Sequence, residues 1–327
     1  MRATYELDPP EWADTLAVLE STSLRDGPAH VRARVVDVAD SRVTVDFPAL
    51  DEPVGVPALL SCIAGEWADR GDMRRCRLVG AEWPQWLPRN AFAAREGVQV
   101  GAIVKPALGL TPEEFAATAA ALARGGAVLV KDDELLGDPS WCPLLQRVRR
   151  VGDSAFYAAN VTGPTETLLE RARAVVDAGA SALMLNAFVQ GVDALRALRE
   201  ADLGVPLFAH RVGAAFLARG ERVSIAPNVL AELTRVCGAD YVQVGSFTSR
   251  VHDSEADVRA EIAAARPAVA VIGGGVGPDN AAEQLHRAGT RDGVLLLLGS
   301  AAYSDPDGLE AAVRKTVDAC ARSVSAS

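Results

Sequence analysis

From Val98 onward, eight short β-rich runs alternate with Ala/Leu-rich helical runs. Before them the elements read βαββαβ, and each of the eight runs ends in polar residues or glycine. Together these observations predict an α/β chain: a (β/α)₈ TIM barrel preceded by a small α+β, ferredoxin-like N-terminal domain. The expected division is 1–92 for the α+β domain and 93–327 for the barrel. At 327 residues, nearly half of them apolar, the chain has room for a small domain and a barrel of roughly 200 to 250 residues.

In the N-terminal part, Arg2–Leu7 alternates like a strand and Pro10–Ser21 has helical periodicity. Val31–Val38 and Arg42–Phe47 are strand-like on either side of Ala39-Asp40-Ser41, a hairpin signal. Pro57–Trp67 suits a helix, Arg75–Glu82 a strand, and Trp83–Gly97 a linker. The barrel strands are expected at Val98–Val104, Ala127–Val130, Ala155–Ala159, Ala182–Leu185, Pro206–Ala209, Tyr241–Val244, Val269–Ile272 and Val294–Leu298. Helices are expected at Pro112–Arg124, Thr165–Ala178, Asp193–Glu200, Ala226–Val236, Glu255–Ala265, Pro278–Ala288 and Pro306–Ala321. Thr111 before Pro112 and Asp305 before Pro306 are N-cap signals. Val212–Ser224 reads as a longer connection.

Composition narrows the partners. A formal net charge of −10 argues against nucleic acid, whose phosphates need a basic face. No stretch of about 20 apolar residues suggests a membrane span, and Met1–Glu6 lacks a signal-peptide pattern. The five cysteines are scattered without a CxxC pair, which fits buried thiols in a reducing cytoplasm. Neither a Ser–His–Asp set nor zinc spacing is present. A small-molecule substrate remains. Basic residues are almost all arginine, so the three lysines, Lys105, Lys131 and Lys315, stand out. A buried lysine can lose its proton and an arginine cannot. Lys105 and Lys131 sit at strand ends, whereas Lys315 lies in a polar helical stretch.

Barrel chemistry collects at the C-terminal ends of the strands. There the chain places Lys105-Pro106, Lys131-Asp132-Asp133-Glu134, Asn160, Asn186, His210-Arg211, Gly245-Ser246 after Gln243, Gly273-Gly274-Gly275 and Gly299-Ser300. The carboxylates after Lys131 suit a hard divalent cation such as Mg²⁺. A protonated Lys131 would repel that cation; a CO₂-derived carbamate on it would be an oxygen ligand. The alternative is a solvated acidic loop in which Lys131 pairs with a carboxylate. The glycine turns suit a phosphate. Arg211 could clamp a phosphate or carboxylate, and His210 could polarise a carbonyl or shuttle a proton.

The segments Gly101–Leu110 (GAIVKPALGL) and Gly125–Glu134 (GGAVLVKDDE) resemble the RuBisCO large subunit and its non-carboxylating relatives, the RuBisCO-like proteins. Weaker similarity covers Trp86-Leu87-Pro88-Arg89 and the barrel to about residue 310; the first 60 residues match poorly. The resemblance implies a carbamylated Lys131 that holds Mg²⁺ with Asp133 and Glu134. It implies Lys105 as the acid/base lysine, and His210 as part of a catalytic histidine–arginine pair in which Arg211 binds phosphate. Gly274, Gly275 and Gly299 would occupy phosphate-binding turns, and Asn160 would join the substrate-binding set. Several family positions differ: Ala107 replaces a lysine, Ala214 and Gln243 replace histidines, and Gly273 replaces a serine. Glu66 aligns with the asparagine that reaches a neighbouring subunit, and Arg250 is the basic residue nearest the mobile-loop lysine. Carboxylation of ribulose bisphosphate is therefore not expected, and the missing ligands weigh against a bisphosphate substrate.

The activity the resemblance implies is Mg²⁺-dependent enolisation or isomerisation of a small keto-sugar phosphate or related ketone. The alternatives are decarboxylation of a β-keto acid through the same enolate, and a non-catalytic metabolite-binding barrel. A homodimer with the site at the subunit interface is expected.

Overall fold

The computed structural model describes residues 1–65, 68, 70–88, 91–92, 97–248 and 253–322. Glu66, Arg89 and Arg250, all raised by the sequence, lie outside the described residues.

The N-terminal part contributes four strands to a five-stranded sheet: β1 (Arg2–Asp8), β2 (Arg34–Ala39), β3 (Arg42–Asp46) and β4 (Arg75–Glu82). Alternation places Ala3, Tyr5 and Leu7 on the buried face of β1. There Tyr5 donates its hydroxyl to the Ile63 carbonyl at 2.9 Å, tying the sheet to the helix Val56–Ile63. That helix stops at Ile63 rather than running on to Trp67, because Ala64 leaves helical geometry with φ −134°. Within the sheet β1 lies between β3 and β4, antiparallel to both, and β2 pairs with β3. This is the order the βαββαβ pattern requires.

The barrel strands are β5 (Val98–Ile103), β6 (Leu129–Lys131), β7 (Tyr157–Asn160), β8 (Ala182–Asn186) and β9 (Leu207–His210). After β10 (Val223–Ile225), discussed below, come β11 (Tyr241–Val244), β12 (Val269–Gly273) and β13 (Val294–Leu298). All eight pairings are parallel, and β13 closes on β5 through Val294↔Val98 and Leu296↔Val100. The interior is packed with Leu129, Ala158, Met184, Phe208, Val271 and Leu295 among others. Gly101 makes room for this packing: a Cβ there would lie 2.8 Å from Leu295 Cδ2.

β6 through β9 each end one residue later than apolar character suggested, taking in Lys131, Asn160, Asn186 and His210. Ladder bonding is a backbone property and continues through a polar side chain. Ile103↔Lys131 and Asn186↔His210 are both register pairs. The strand ends therefore hold these four side chains on rigid backbone.

Several elements escaped the sequence. The helix Leu144–Val151 carries Arg147, Arg149 and Arg150 and reads as polar, yet it buries Arg147 with Leu144, Val148 and Val151. The connection 212–224 contains a short helix, Ala214–Ala218, and then β10, which pairs in parallel with β4 of the N-terminal sheet. No helix among the described residues is long and apolar enough to cross a membrane.

Candidate active site

A cavity of about 410 Å³ opens at the C-terminal mouth of the barrel. Its wall includes Lys105, Glu134, His210, Arg211, Gln243 and the glycine turns Gly273–Gly275 and Gly299. Of the residues singled out by sequence, Lys131, Asp133 and Asn160 do not line it and are almost fully buried.

Lys131 has no exposed surface, and its Nζ donates to the Asp132 carbonyl oxygen at 2.6 Å. Burial pushes the ammonium down to about 8, against the pull of Glu134, Asp133 and Asp132. A neutral fraction of this amine thus exists near physiological pH, which is the form that can add CO₂.

The neighbouring acids have separate fates. Asp132 faces the interior, where Arg147 Nη2 donates to it at 2.9 Å, the Asn160 backbone N–H at 2.7 Å, and the Tyr157 hydroxyl as well. Arg147 also donates to the carbonyls of Gly137 and Cys142, at 2.8 and 3.0 Å. Asp132 and Arg147 therefore brace the loop after β6. Asp133 turns the other way and pairs with Lys105 Nζ. The Lys105 backbone is fixed in turn by Tyr303, whose hydroxyl accepts from Lys105 N–H at 2.8 Å and donates to Ile103 O at 2.9 Å.

His210 accepts the Val212 N–H at Nδ1 (3.1 Å), which leaves the ring proton on Nε2, 3.4 Å from Glu134 Oε2. Desolvation, with Lys131, Arg211 and Lys105 nearby, holds its pKa well below the ordinary imidazole range. The ring is a neutral hydrogen-bond donor.

Two of the expected ligand side chains, Asn160 and Arg211, already have protein partners. Asn160 spends its amide on the loop, donating to Leu136 O at 3.0 Å and accepting from Thr162 N–H at 3.0 Å. It acts on the loop and not on the cavity. Asn186 does the same through Glu134 O at 2.9 Å. Arg211 reaches the cavity but is paired with Asp253 at 2.7 Å and Glu261 at 3.5 Å. The glycine turns agree better with the reading of the sequence. Gly274 and Gly275 adopt φ of +114° and +77°, which glycine tolerates. Ser246 and Thr248 hydroxyls both hold the Gly274 carbonyl at 2.6 Å.

Among the described residues no three His, Cys, Asp or Glu side chains stand together as a metal site. Asp133 and Glu134 follow the buried Lys131 strand end and both act on its charge, so a cation held there by two carboxylates needs a further oxygen donor. Lys131 fits that need as a carbamate, because its amine is buried, partly neutral and within the electrostatic reach of both acids.

The catalytic domain of the ribulose bisphosphate carboxylase large chain matches residues 88–270. An uncharacterized ribulose bisphosphate carboxylase-like protein of Bordetella bronchiseptica is 30% identical over 307 residues, covering 83% of this chain and 72% of that protein. The 2,3-diketo-5-methylthiopentyl-1-phosphate enolase of Geobacillus thermodenitrificans is 31% identical over 223 residues, 61% of this chain and 54% of that enzyme. The chain thus spans about half of the enolase's length. A rubisco-like protein from Burkholderia fungorum superposes with a TM-score of 0.86 at 22% identity, over 99% of this chain and 94% of that one.

Proposed function

Because this chain belongs to the RuBisCO large-chain family, we propose that it is a RuBisCO-like enzyme that enolises or isomerises a small keto-sugar phosphate or related ketone. The observation that carries this reading is the buried Lys131 amine at a strand end, within the electrostatic reach of Asp133 and Glu134. A Mg²⁺ ion held by Asp133, Glu134 and a CO₂-derived carbamate on Lys131 would supply the Lewis acid that polarises the substrate carbonyl.

The chain's own residues do the rest. Lys105, in the cavity wall, moves the proton at the carbon next to that carbonyl. Neutral His210 points its Nε2 proton toward Glu134 and can donate to an oxygen of the bound substrate. The turns at Gly274–Gly275 and Gly299 take the phosphate, where backbone can approach closely. Exposed Leu135 and Trp141 after β6, and Phe216 in the short helix after β9, favour a second copy and hence a homodimer. Five free cysteines suit the cytoplasmic setting proposed with it.

Incubation in D₂O with ketose phosphates, Mg²⁺ and bicarbonate should give metal-dependent exchange of a substrate proton. Lys131→Ala should abolish it; undiminished exchange refutes the site. Release of CO₂ from a β-keto acid, without exchange into ketones, would favour decarboxylation.

A further inference from the structure

We infer that Tyr303 is a positioning residue for Lys105: its hydroxyl ties the backbone beneath the acid/base amine to the Gly299 turn, so that an anion in that turn sets where the amine stands. This deepens the proposed reaction and rests on the roles proposed there for Lys105 and Gly299.

The need arises where β5 ends. Its last pair with β13 is Leu298↔Ala102. On the other side it stays paired with β6 as far as Ile103↔Lys131, and the Val104 N–H donates to Lys131 O at 3.1 Å. Past Ala102, the Ile103 carbonyl and the Lys105 N–H meet Tyr303 instead of a strand. In a parallel ladder one residue of the neighbouring strand donates to the carbonyl of residue i and accepts from the N–H of residue i+2. The Tyr303 hydroxyl makes the same pair of bonds, donating to Ile103 O at 2.9 Å and accepting from Lys105 N–H at 2.8 Å. One side-chain oxygen thus stands in for a strand residue at the step that carries Lys105.

The hydroxyl can do both only while it keeps its proton. Burial pushes the Tyr303 phenol up to about 12, against the Lys105 backbone bond, so the proton stays at neutral pH. The ring packs against the core, and its neighbour Ala302 is fully buried. Tyr303 belongs to the short helical turn Ser300–Ser304, which begins directly after Gly299. The Ala302 N–H donates to Gly299 O at 3.1 Å, which makes Gly299 and Tyr303 parts of one rigid piece. Its far end is pinned by Asp305, paired with Lys315 Nζ at 2.8 Å. Gly299 and Ser300 line the same cavity as Lys105. An anion engaging this turn therefore acts on Lys105 through the phenol as well as through space. A long, flexible amine gains most from a fixed backbone, because a small misplacement of a proton-transfer group is costly in rate.

The test reads the Lys105 amide itself, in the full chain. With three lysines in the sequence, ¹⁵N-lysine labelling gives three backbone amide signals, assigned with Lys105→Arg and Lys315→Arg. In the unaltered protein the Lys105 amide should resist solvent exchange. Inorganic phosphate should shift its signal and slow that exchange further, while the Lys315 amide, in the helix Leu309–Arg322, stays in place. A Lys105 amide that exchanges freely, or that phosphate leaves unmoved, overturns the inference, and this measurement needs no variant to fold. In Tyr303→Phe, checked for fold by circular dichroism, the amide should exchange at least about tenfold faster. Its phosphate response should be lost, with calorimetric phosphate affinity changed less than about threefold. A response as large as in the unaltered protein overturns the inference. With ribulose 5-phosphate as probe in Mg²⁺ and bicarbonate, the variant should lower the saturated rate of deuterium exchange at least about tenfold while KM changes less than about threefold. Equal saturated rates also overturn it. A loss of stability alone would not split kcat from KM. Absence of deuterium exchange by the unaltered protein would remove the proposed reaction and leave the amide measurements to decide this inference.

Discussion

Asp132 and Asp133 are adjacent, and the fold gives them opposite roles. Asp132 is enclosed by Arg147, Tyr157 and the Asn160 N–H, while Asp133 meets Lys105 at the cavity. Replacing Arg147 by Met leaves Asp132 buried without its cation, and urea denaturation should show a loss of about 3–5 kcal/mol. A loss below about 1 kcal/mol would contradict the bracing role. Glu261 gives a pH signature. Burial raises its pKa from an ordinary 4.5 to about 7, with Arg211 opposing. Between these values the folded state holds a proton that the unfolded chain has lost. Stability from this group is therefore complete below about 4.5 and declines as pH rises through about 7. Glu261→Gln should flatten that decline in chemical denaturation followed from pH 5 to 8. A steeper decline would show the sign to be wrong.

At the scale of elements, the helix Pro112–Arg124 was legible because its start is written chemically. Thr111 accepts the Glu114 N–H at 3.3 Å and Glu114 accepts the Thr111 N–H at 2.9 Å, a complete capping box. Thr111→Ala should lower stability by about 1 kcal/mol, read as a shifted denaturation midpoint at constant slope. Gly101→Val, inside β5, should cost about 1–3 kcal/mol by overpacking against Leu295; an unchanged midpoint would mean the barrel interior has slack. The helix Leu144–Val151 was illegible because one of its four inward positions is an arginine, beside three more polar residues on so short a helix. A burial pattern read from apolar residues cannot register a cation whose partner, Asp132, lies fifteen residues earlier. β10 was missed for a related reason. Three residues carry no periodicity, and their partner strand β4 is nearly 150 residues away in sequence.

Across the whole molecule, we propose the division 1–92 and 93–327, with the two parts mutually dependent. β10 leaves the barrel to pair with β4, through Val223↔Cys76 and Ile225↔Leu78. Asp240 accepts the Ala91 and Phe92 N–H groups, each at 2.9 Å, and pairs with Arg199. A fragment of residues 93–327 loses the first partner, so it should unfold at lower temperature by circular dichroism than the full chain. Equal midpoints would show that the barrel needs nothing from the sheet.

The sequence by itself determined the fold class, the order of strands and the convergence of Lys105, Glu134, His210, Arg211 and the glycine turns on one rim. These follow from periodicity and from the rule that parallel strands share a direction, so strand ends share a face. Tertiary structure decided which polar side chains are already spent. Asn160 went to the loop, Asp132 to Arg147, and Arg211 to Asp253 and Glu261. Those choices depend on which oxygen lies within about 3 Å of which nitrogen once the chain has closed, and no local pattern of residues encodes that distance.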